Sequence, residues 1–370
     1  MLFIQVFTIL ISFFTLLSCR TITNITDSLT KSKQNQKLHL VIDAGSSGTR
    51  FCLYEITKNT SNACIAKSLE NDYSTCKQIP AENGIAELGS QKGLDVIQNG
   101  FDDLNSSNPT YRDQIVQATF IGTGGFRKYP ENKYKPILES IDNYFKKEKI
   151  PSTTKVITGD EEAEYAWYSA KQIASSTNHG ILEIGGATIQ IAYKNSPVEE
   201  SLIKFSEKLG SNVSFDKLSV VGVFNRFCEQ PVVSYKDDLF SDCKKFVYNN
   251  IFSRSDMKSF VQNNPIPKGT RVYGMGASWF ATFNLAKSDK LTIEEIHKIG
   301  HEFCGMDQQD IESEYNIPSK YAERVCYTFS YQTALMETLN IAVIYNGKGE
   351  SYTKGVAISK EFVRFCGKEL

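Results

Sequence analysis

One short pattern occurs twice in this chain and limits its fold more than any other feature. LVIDAGSSGTRFCLY (40–54) and ILEIGGATIQIAY (181–193) share one plan: an apolar strand, an acid, a small or apolar residue, a Gly-rich turn and a second apolar strand. The acids are Asp43 and Glu183. Similar units a domain's length apart indicate a duplicated fold in which each copy brings a Gly-rich hairpin to a common cleft. Further strand-like runs lie at 116–121, 155–158, 271–276 and 354–358, and DEEAEYAWYSAKQIA (160–174) has helical spacing. Beyond residue 200 the pattern is mostly helical, so the architecture is mixed α/β.

At 370 residues the chain has room for about two domains. Lys+Arg 41 against Asp+Glu 42 leaves a formal net charge of -1, which gives no field to hold a nucleic acid. Residues 2–17 are apolar and uncharged, followed by Ser18-Cys19-Arg20, which reads as a signal peptide over 1–18. The same run is long enough for an uncleaved anchor, and Leu16-Leu17-Ser18-Cys19 is similar to a lipoprotein cleavage site. Residues 19–36 read as a flexible stem, and no stable membrane span remains once the leader is removed.

Short separations point to disulfides Cys64–Cys76, Cys228–Cys243 and Cys304–Cys326, with Cys52 and Cys366 free and buried. Sequons at Asn24, Asn59, Asn105 and Asn212 agree with export by a eukaryotic secretory route. The final Gly-Lys-Glu-Leu matches an ER-retention tail only at Glu369 and Leu370, leaving lumenal residence as the alternative to secretion.

The hairpin tip Gly45-Ser46-Ser47-Gly48-Thr49 offers backbone N–H groups and hydroxyls without bulk, which suits phosphate oxygens. No Lys follows as in a P-loop, and no helix opens as in a dinucleotide fingerprint. A carboxylate beside each of two such turns suits a hydrated Ca2+ or Mg2+ bridging phosphates, so Asp43 and Glu183 are the candidate metal residues. Phosphoryl transfer to water also needs a base, for which the acids at 160–162 are candidates, although acids are common in a first helical turn. Thr123 and Arg127 in GTGGFR add a hydroxyl and a fixed cation beside a third Gly-rich loop.

In this order the segments resemble the apyrase family of nucleoside tri- and diphosphatases. VIDAGSSGTR (41–50), IGTGGFR (121–127), ITGDEEAEYAW (157–167) and ILEIGGATIQIAY (181–193) look like its first four conserved regions, and YGMGASWF (273–280) is a looser match to the fifth. Cys304 and Cys326 also resemble a family disulfide pair. The resemblance implies a duplicated RNase H-like (actin/hexokinase-like) fold of two lobes. On that division lobe I is 37–158, rejoined by 345–370, and lobe II is 159–344. It implies Glu162 as the base attacking through water, with Thr188 and Gln190 holding that water. Ser46, Ser47, Gly48, Thr49, Gly185, Gly186 and Ala187 are the implied phosphate contacts. Phe280 or Trp279 is the implied partner of the nucleobase, with plain core packing the competing reading of Trp279. The expected protein is a monomer acting on nucleoside di- and triphosphates.

Several positions depart from the family pattern. Glu183 replaces an Asp, Thr188 a Ser, Ile189 a Thr and Ala163 a Gly, and Gly48 stands where cell-surface members often carry His. Two rivals share the fold: an exopolyphosphatase-like phosphatase, whose third motif GDEEAE (159–164) resembles, and a nucleotide binder without turnover. A sugar kinase is the weaker third, because a secreted enzyme meets little ATP.

Overall fold

A computed structural model of the chain describes residues 37–46, 48–58, 60, 64–69, 76–79, 84–107, 109–185, 188–195, 202–207, 228, 238–359 and 361. The expected leader, stem, Cys366 and the sequons at Asn24, Asn59 and Asn212 lie outside them. Asn105 is half-buried in a helix. No described helix is long and apolar enough to cross a membrane.

Two mixed sheets repeat one strand order. The first contains β1 (Leu38–Gly45), β2 (Gly48–Lys58), β3 (Cys64–Ser68), β4 (Lys77–Ile79), β5 (Ile115–Gly122) and β6 (Ser152–Val156), ordered β3-β2-β1-β5-β6 with β4 also on β2. The second contains β7 (His179–Ile184), β8 (Ile189–Tyr193), β9 (Ile203–Glu207), β10 (Arg271–Met275), β11 (Lys290–Thr292) and β12 (Val343–Asn346). It runs β9-β8-β7-β10-β12, with β11 on the far edge. In each sheet the first three strands form an antiparallel meander and the next pairs in parallel with the first. The duplication expected from the repeated hairpins is therefore present at the level of whole sheets.

Strand alternation sorts each central strand between two cores. Leu38, Leu40, Ile42 and Ala44 of β1 pack on helices α1 (Ile85–Ser107) and α2 (Glu131–Lys147). Leu182 and Ile184 of β7 belong to a core that also takes in α4 (Leu239–Val247), α5 (Gly276–Ala286), α6 (Ile293–Gly305) and α7 (Val325–Thr338). Val41 and Ile181 point the other way, into one shared core. That core is filled by α3 (Gly159–Lys171) and α8 (Tyr352–Ile358), which lie between the sheets.

Helix α8 corrects the strand expected at 354–358. Val356 and Ile358 favour a strand by propensity, but burial on both sides decides the conformation here. The helix reaches α3 at a glycine: a Cβ on Gly355 would lie 1.8 Å from the carbonyl oxygen of Tyr165. The expected strand at 155–158 instead ends at Val156, because Thr158 caps α3.

The duplication extends to a buried histidine pair. His39 and His179 each stand four residues before the acid of their strand, facing the shared core. His39 bonds the carbonyl of Ala357 on α8 through Nδ1 at 3.2 Å and Thr119 through Nε2 at 2.8 Å. His179 stacks on Trp167 of α3 at 4.6 Å between ring centres, and Nε2 lies 3.4 Å from the Trp167 carbonyl. Each sheet is thus tied to one central helix by the same strand position.

The disulfides agree with expectation at Cys228–Cys243 and Cys304–Cys326. Cys64–Cys76 does not form: Cys76 bonds to Cys52, which was expected to be free, and Cys64 is bonded elsewhere. The reason is register. Phe51 pairs with Lys77 across β2 and β4, which sets Cys52 opposite Cys76 with their Cα atoms 4.2 Å apart.

Two outcomes are expected. Gly355→Ala forces a methyl onto the α3 backbone and lowers stability by about 3 kcal/mol in urea unfolding, an overpacking cost. Burial lowers the His39 pKa from 6.5 to about 4. The unfolded chain therefore takes up a proton first as pH falls, and stability present above pH 6.5 is lost towards pH 4. Unfolding at pH 7 and pH 5 should differ by about 2 kcal/mol from this ring alone, and His39→Gln should flatten the slope.

Candidate active site

The two hairpins place their acids in matching positions. Asp43 pairs with Arg50 across β1 and β2 and with Ile121 of β5; Glu183 pairs with Gln190 across β7 and β8 and with Met275 of β10. Both acids share a strand face with the residues of the central core, so both are buried towards the space between the sheets. Gly48 closes the first turn at φ 139, a region open to glycine. In the second, the Gly185 N–H donates to the Thr188 carbonyl at 3.0 Å. Ser47, Gly186 and Ala187, expected phosphate contacts, lie outside the described residues.

The third Gly-rich loop packs directly on the first. Thr123, buried, donates its N–H to the carbonyl of Ala44 at 3.2 Å. A Cβ on Gly125 would come within 3.0 Å of Gly45 and Ser46 backbone atoms, so the loops touch main chain to main chain. Arg127 follows and reaches across to α3. Its Nη1 donates to the Ile157 carbonyl at 2.8 Å and its Nη2 to Glu162 Oε2 at 2.9 Å.

Glu162 sits in the first turn of α3 behind a capping box. The Thr158 hydroxyl accepts from the Glu161 N–H at 3.1 Å, and the Glu161 carboxylate accepts from the Thr158 N–H at 2.7 Å. That box fixes the helix start and leaves Glu162 pointing inward, where burial raises its pKa to about 7. The Arg127 charge opposes the rise and the Asp43 charge adds to it. Glu183 is held well above the ordinary carboxylate range, first by burial and then by Glu162 and Asp43. Three buried carboxylates therefore sense one another between the sheets, and Arg127 and Arg50 partly offset them.

Several buried acceptors have no partner among the described residues: Glu183 Oε2, Gln190 Oε1 and Thr49 Oγ1. Gln190 donates through Nε2 to the Thr188 hydroxyl. Buried polar atoms are normally satisfied, so these oxygens fit a polar guest. No three acidic, His or Cys side chains among the described residues converge closely enough to grip a metal directly. Hard oxygen acceptors spread over both hairpins do suit a cation that keeps its waters, so the residues fit Ca2+ or Mg2+ bound through water.

Two participants escaped the sequence reading. Arg50 Nη1 donates to Asp43 Oδ2 at 3.0 Å, and the Tyr352 hydroxyl donates to Asp43 Oδ1. The aromatic candidates separate. Trp279 is fully buried against Gly274, the core packing weighed for it above, whereas Phe280 is 44% exposed and lies against the loop at Gly349.

Comparison with known proteins gives a family and agrees with the fold. The GDA1/CD39 (nucleoside phosphatase) family model matches residues 29–219, which leaves the 273–280 segment outside the match. The nucleoside-triphosphatase ntp-1 of Caenorhabditis elegans is 23% identical over 188 residues, 47% of this chain and 34% of its own. Probable apyrase 7 of Arabidopsis thaliana is 22% identical over 302 residues, 70% of this chain and 40% of its own. The chain thus spans well under half the length of these curated relatives. An exopolyphosphatase structure from Cytophaga hutchinsonii superposes with a TM-score of 0.59 at 14% identity, covering 87% of this chain and 96% of that one. At such identity the likeness shows the fold alone, an actin-like α/β architecture.

Carbon-13 NMR of the Glu carboxyl groups in the metal-free protein should find one titration near pH 7, absent from Glu162→Gln. Arg127→Gln removes the opposing charge and should move that titration upward in pH.

Proposed function

The chain belongs to the GDA1/CD39 nucleoside phosphatase family, and from that premise we propose that it hydrolyses the terminal phosphate of nucleoside tri- and diphosphates. One observation carries the reading: a buried glutamate with a pKa about 7, paired to an arginine, shares a cleft with the acids of two equivalent Gly-rich hairpins. A base poised near neutral pH accepts a proton from water without being permanently charged or neutral. We propose the lobes expected from the sequence, 37–158 with 345–370 and 159–344.

In this mechanism the nucleotide's phosphates lie between the hairpin turns, against Ser46, Ser47, Gly48, Thr49, Thr123 and the backbone of Gly185, Gly186 and Ala187. Asp43 and Glu183 would hold Ca2+ or Mg2+ through waters, and the ion when bound would supply charge neutralisation at the phosphate oxygens. Thr188 and Gln190 orient the attacking water, and the free Gln190 Oε1 is an acceptor for one of its protons. Glu162 takes the other proton as the water oxygen bonds to the terminal phosphorus and the bridging oxygen departs with the nucleotide. Arg127 holds Glu162 in place and keeps its pKa from rising further. Phe280 is the exposed aromatic suited to stack on the base. The disulfides support a secreted or lumenal location.

The deciding experiment is phosphate release by disulfide-intact protein from ATP, ADP, UDP, GDP and polyphosphate with Ca2+, Mg2+ or EDTA. EDTA-sensitive release from nucleotides is the expected result. Release from polyphosphate alone transfers the protein to exopolyphosphatase chemistry, and nucleotide binding without release makes it a binder. Glu162→Gln should lower kcat by about 10²–10⁴-fold while nucleotide affinity stays within a few-fold.

A further inference from the structure

The two equivalent acids are held differently. Glu183 Oε2 has no partner among the described residues, although it is buried. Asp43 has both oxygens engaged, Oδ2 by Arg50 at 3.0 Å and Oδ1 by the hydroxyl of Tyr352. Part of the difference lies in the residue opposite each acid in the duplicated hairpin, since Arg50 bonds Asp43 whereas Gln190 donates to Thr188. The rest comes from the first turn of α8, in a part of the chain that neither repeat contains.

The helical turn that carries Tyr352 is held on several sides. Ser351 caps α8, accepting from the Thr353 N–H at 3.3 Å, and the two side-chain hydroxyls lie 2.6 Å apart. Thr353 Oγ1 also meets the Tyr54 hydroxyl of β2 at 2.7 Å. Three residues on, Gly355 seats the helix against the α3 backbone. The phenol is therefore delivered to Asp43 by a short helix locked to both β2 and the helix carrying Glu162. A carboxylate turns freely about its last torsion. Donors on both of its oxygens stop that rotation and leave one further acceptor direction on each oxygen.

We propose that Tyr352 is a positioning residue for the cation, fixing the plane of the Asp43 carboxylate so that its remaining lone pairs meet the ion's waters. The inference rests on the reading of Asp43 and Glu183 as the carboxylates that hold the hydrated ion. The asymmetry then has a use: Asp43 is a fixed point, while Glu183, one methylene longer than the family's Asp, keeps an oxygen free to follow the ion. Arg50 completes the brace from β2 and offsets the charge of Asp43.

The test compares Tyr352→Phe with Tyr54→Phe in the full disulfide-bonded chain. Tyr54→Phe removes a neighbouring buried hydroxyl from the same helix contact without touching Asp43, so it reports any general loosening of α8. Calorimetric titration with Mg2+ or Ca2+ alone measures cation affinity without turnover, and phosphate release against cation concentration measures the half-saturating point. The expected result is a loss of about tenfold in both for Tyr352→Phe, the loss of one hydrogen bond to a charged group. Nucleotide KM at saturating cation stays within twofold, and Tyr54→Phe leaves cation affinity unchanged. Unchanged cation affinity in Tyr352→Phe overturns the proposal, as does an equal loss in Tyr54→Phe. Should Tyr352→Phe not fold, 4-aminophenylalanine at that position retains a weaker donor and should give roughly a threefold loss; wild-type affinity there also overturns it. Wild-type protein that binds neither cation and works in EDTA overturns the assignment of Asp43 and Glu183 itself. EDTA-sensitive turnover with an unaffected Tyr352→Phe removes only the brace.

Discussion

The approach of α8 to α3 at Gly355 is the contact on which the rest of this molecule depends. With no side chain at that position, two helices from distant parts of the chain meet at backbone distance between the sheets. One begins at the turn that carries Glu162, the other at Tyr352. Each also receives a bond from a buried histidine of one central strand. Close packing makes this arrangement stiff, since an interior at native density has no slack for either helix to shift alone. The ends of β1 and β7 are thus set in one frame with the glutamate.

Into that frame the fold places three carboxylates, an arrangement that opposes folding in isolation. Burial and mutual repulsion both disfavour their charged forms, and at Glu162 burial outweighs the nearby Arg127. The chain offsets only part of this: Arg127 pairs with Glu162 and Arg50 with Asp43, while Glu183 has no cationic partner at contact distance among the described residues. A site of three close carboxylates with unpartnered oxygens is prepared for a cation, which would favour their charged forms, and for a polar ligand. Such destabilising arrangements mark function, because nothing in the packing of the core requires them.

How much of this was legible depends on sequence distance. Asp43, Glu183, Thr123, Arg127 and Glu162 stand on local patterns of strand, Gly-rich turn and helix start, which neighbouring residues specify. Arg50 was within reach of the same reasoning, since the pairing of Gly45 with Gly48 puts residue 50 opposite residue 43. The disulfide error is of another kind: separation along the chain favours Cys64–Cys76, but the pairing of β4 on β2 puts Cys52 there instead. Trp279 and Phe280 are adjacent in sequence, and the rotation of α5 buries one and exposes the other.

The sequence alone determined the duplicated α/β plan, because each hairpin writes strand, acid and turn within a dozen residues and the copies can be compared directly. It also determined which acids end the two central strands, since alternation and turn position are local properties. Tertiary structure decided the rest. The segment at 354–358 has the composition of a strand and became a helix because two sheets close over it and Gly355 allows the approach. Tyr352 reaches Asp43 across 309 positions, through contacts that exist only once α8 has packed between the sheets. No local pattern encodes such a meeting, because its energy comes from packing between elements that are strangers in sequence.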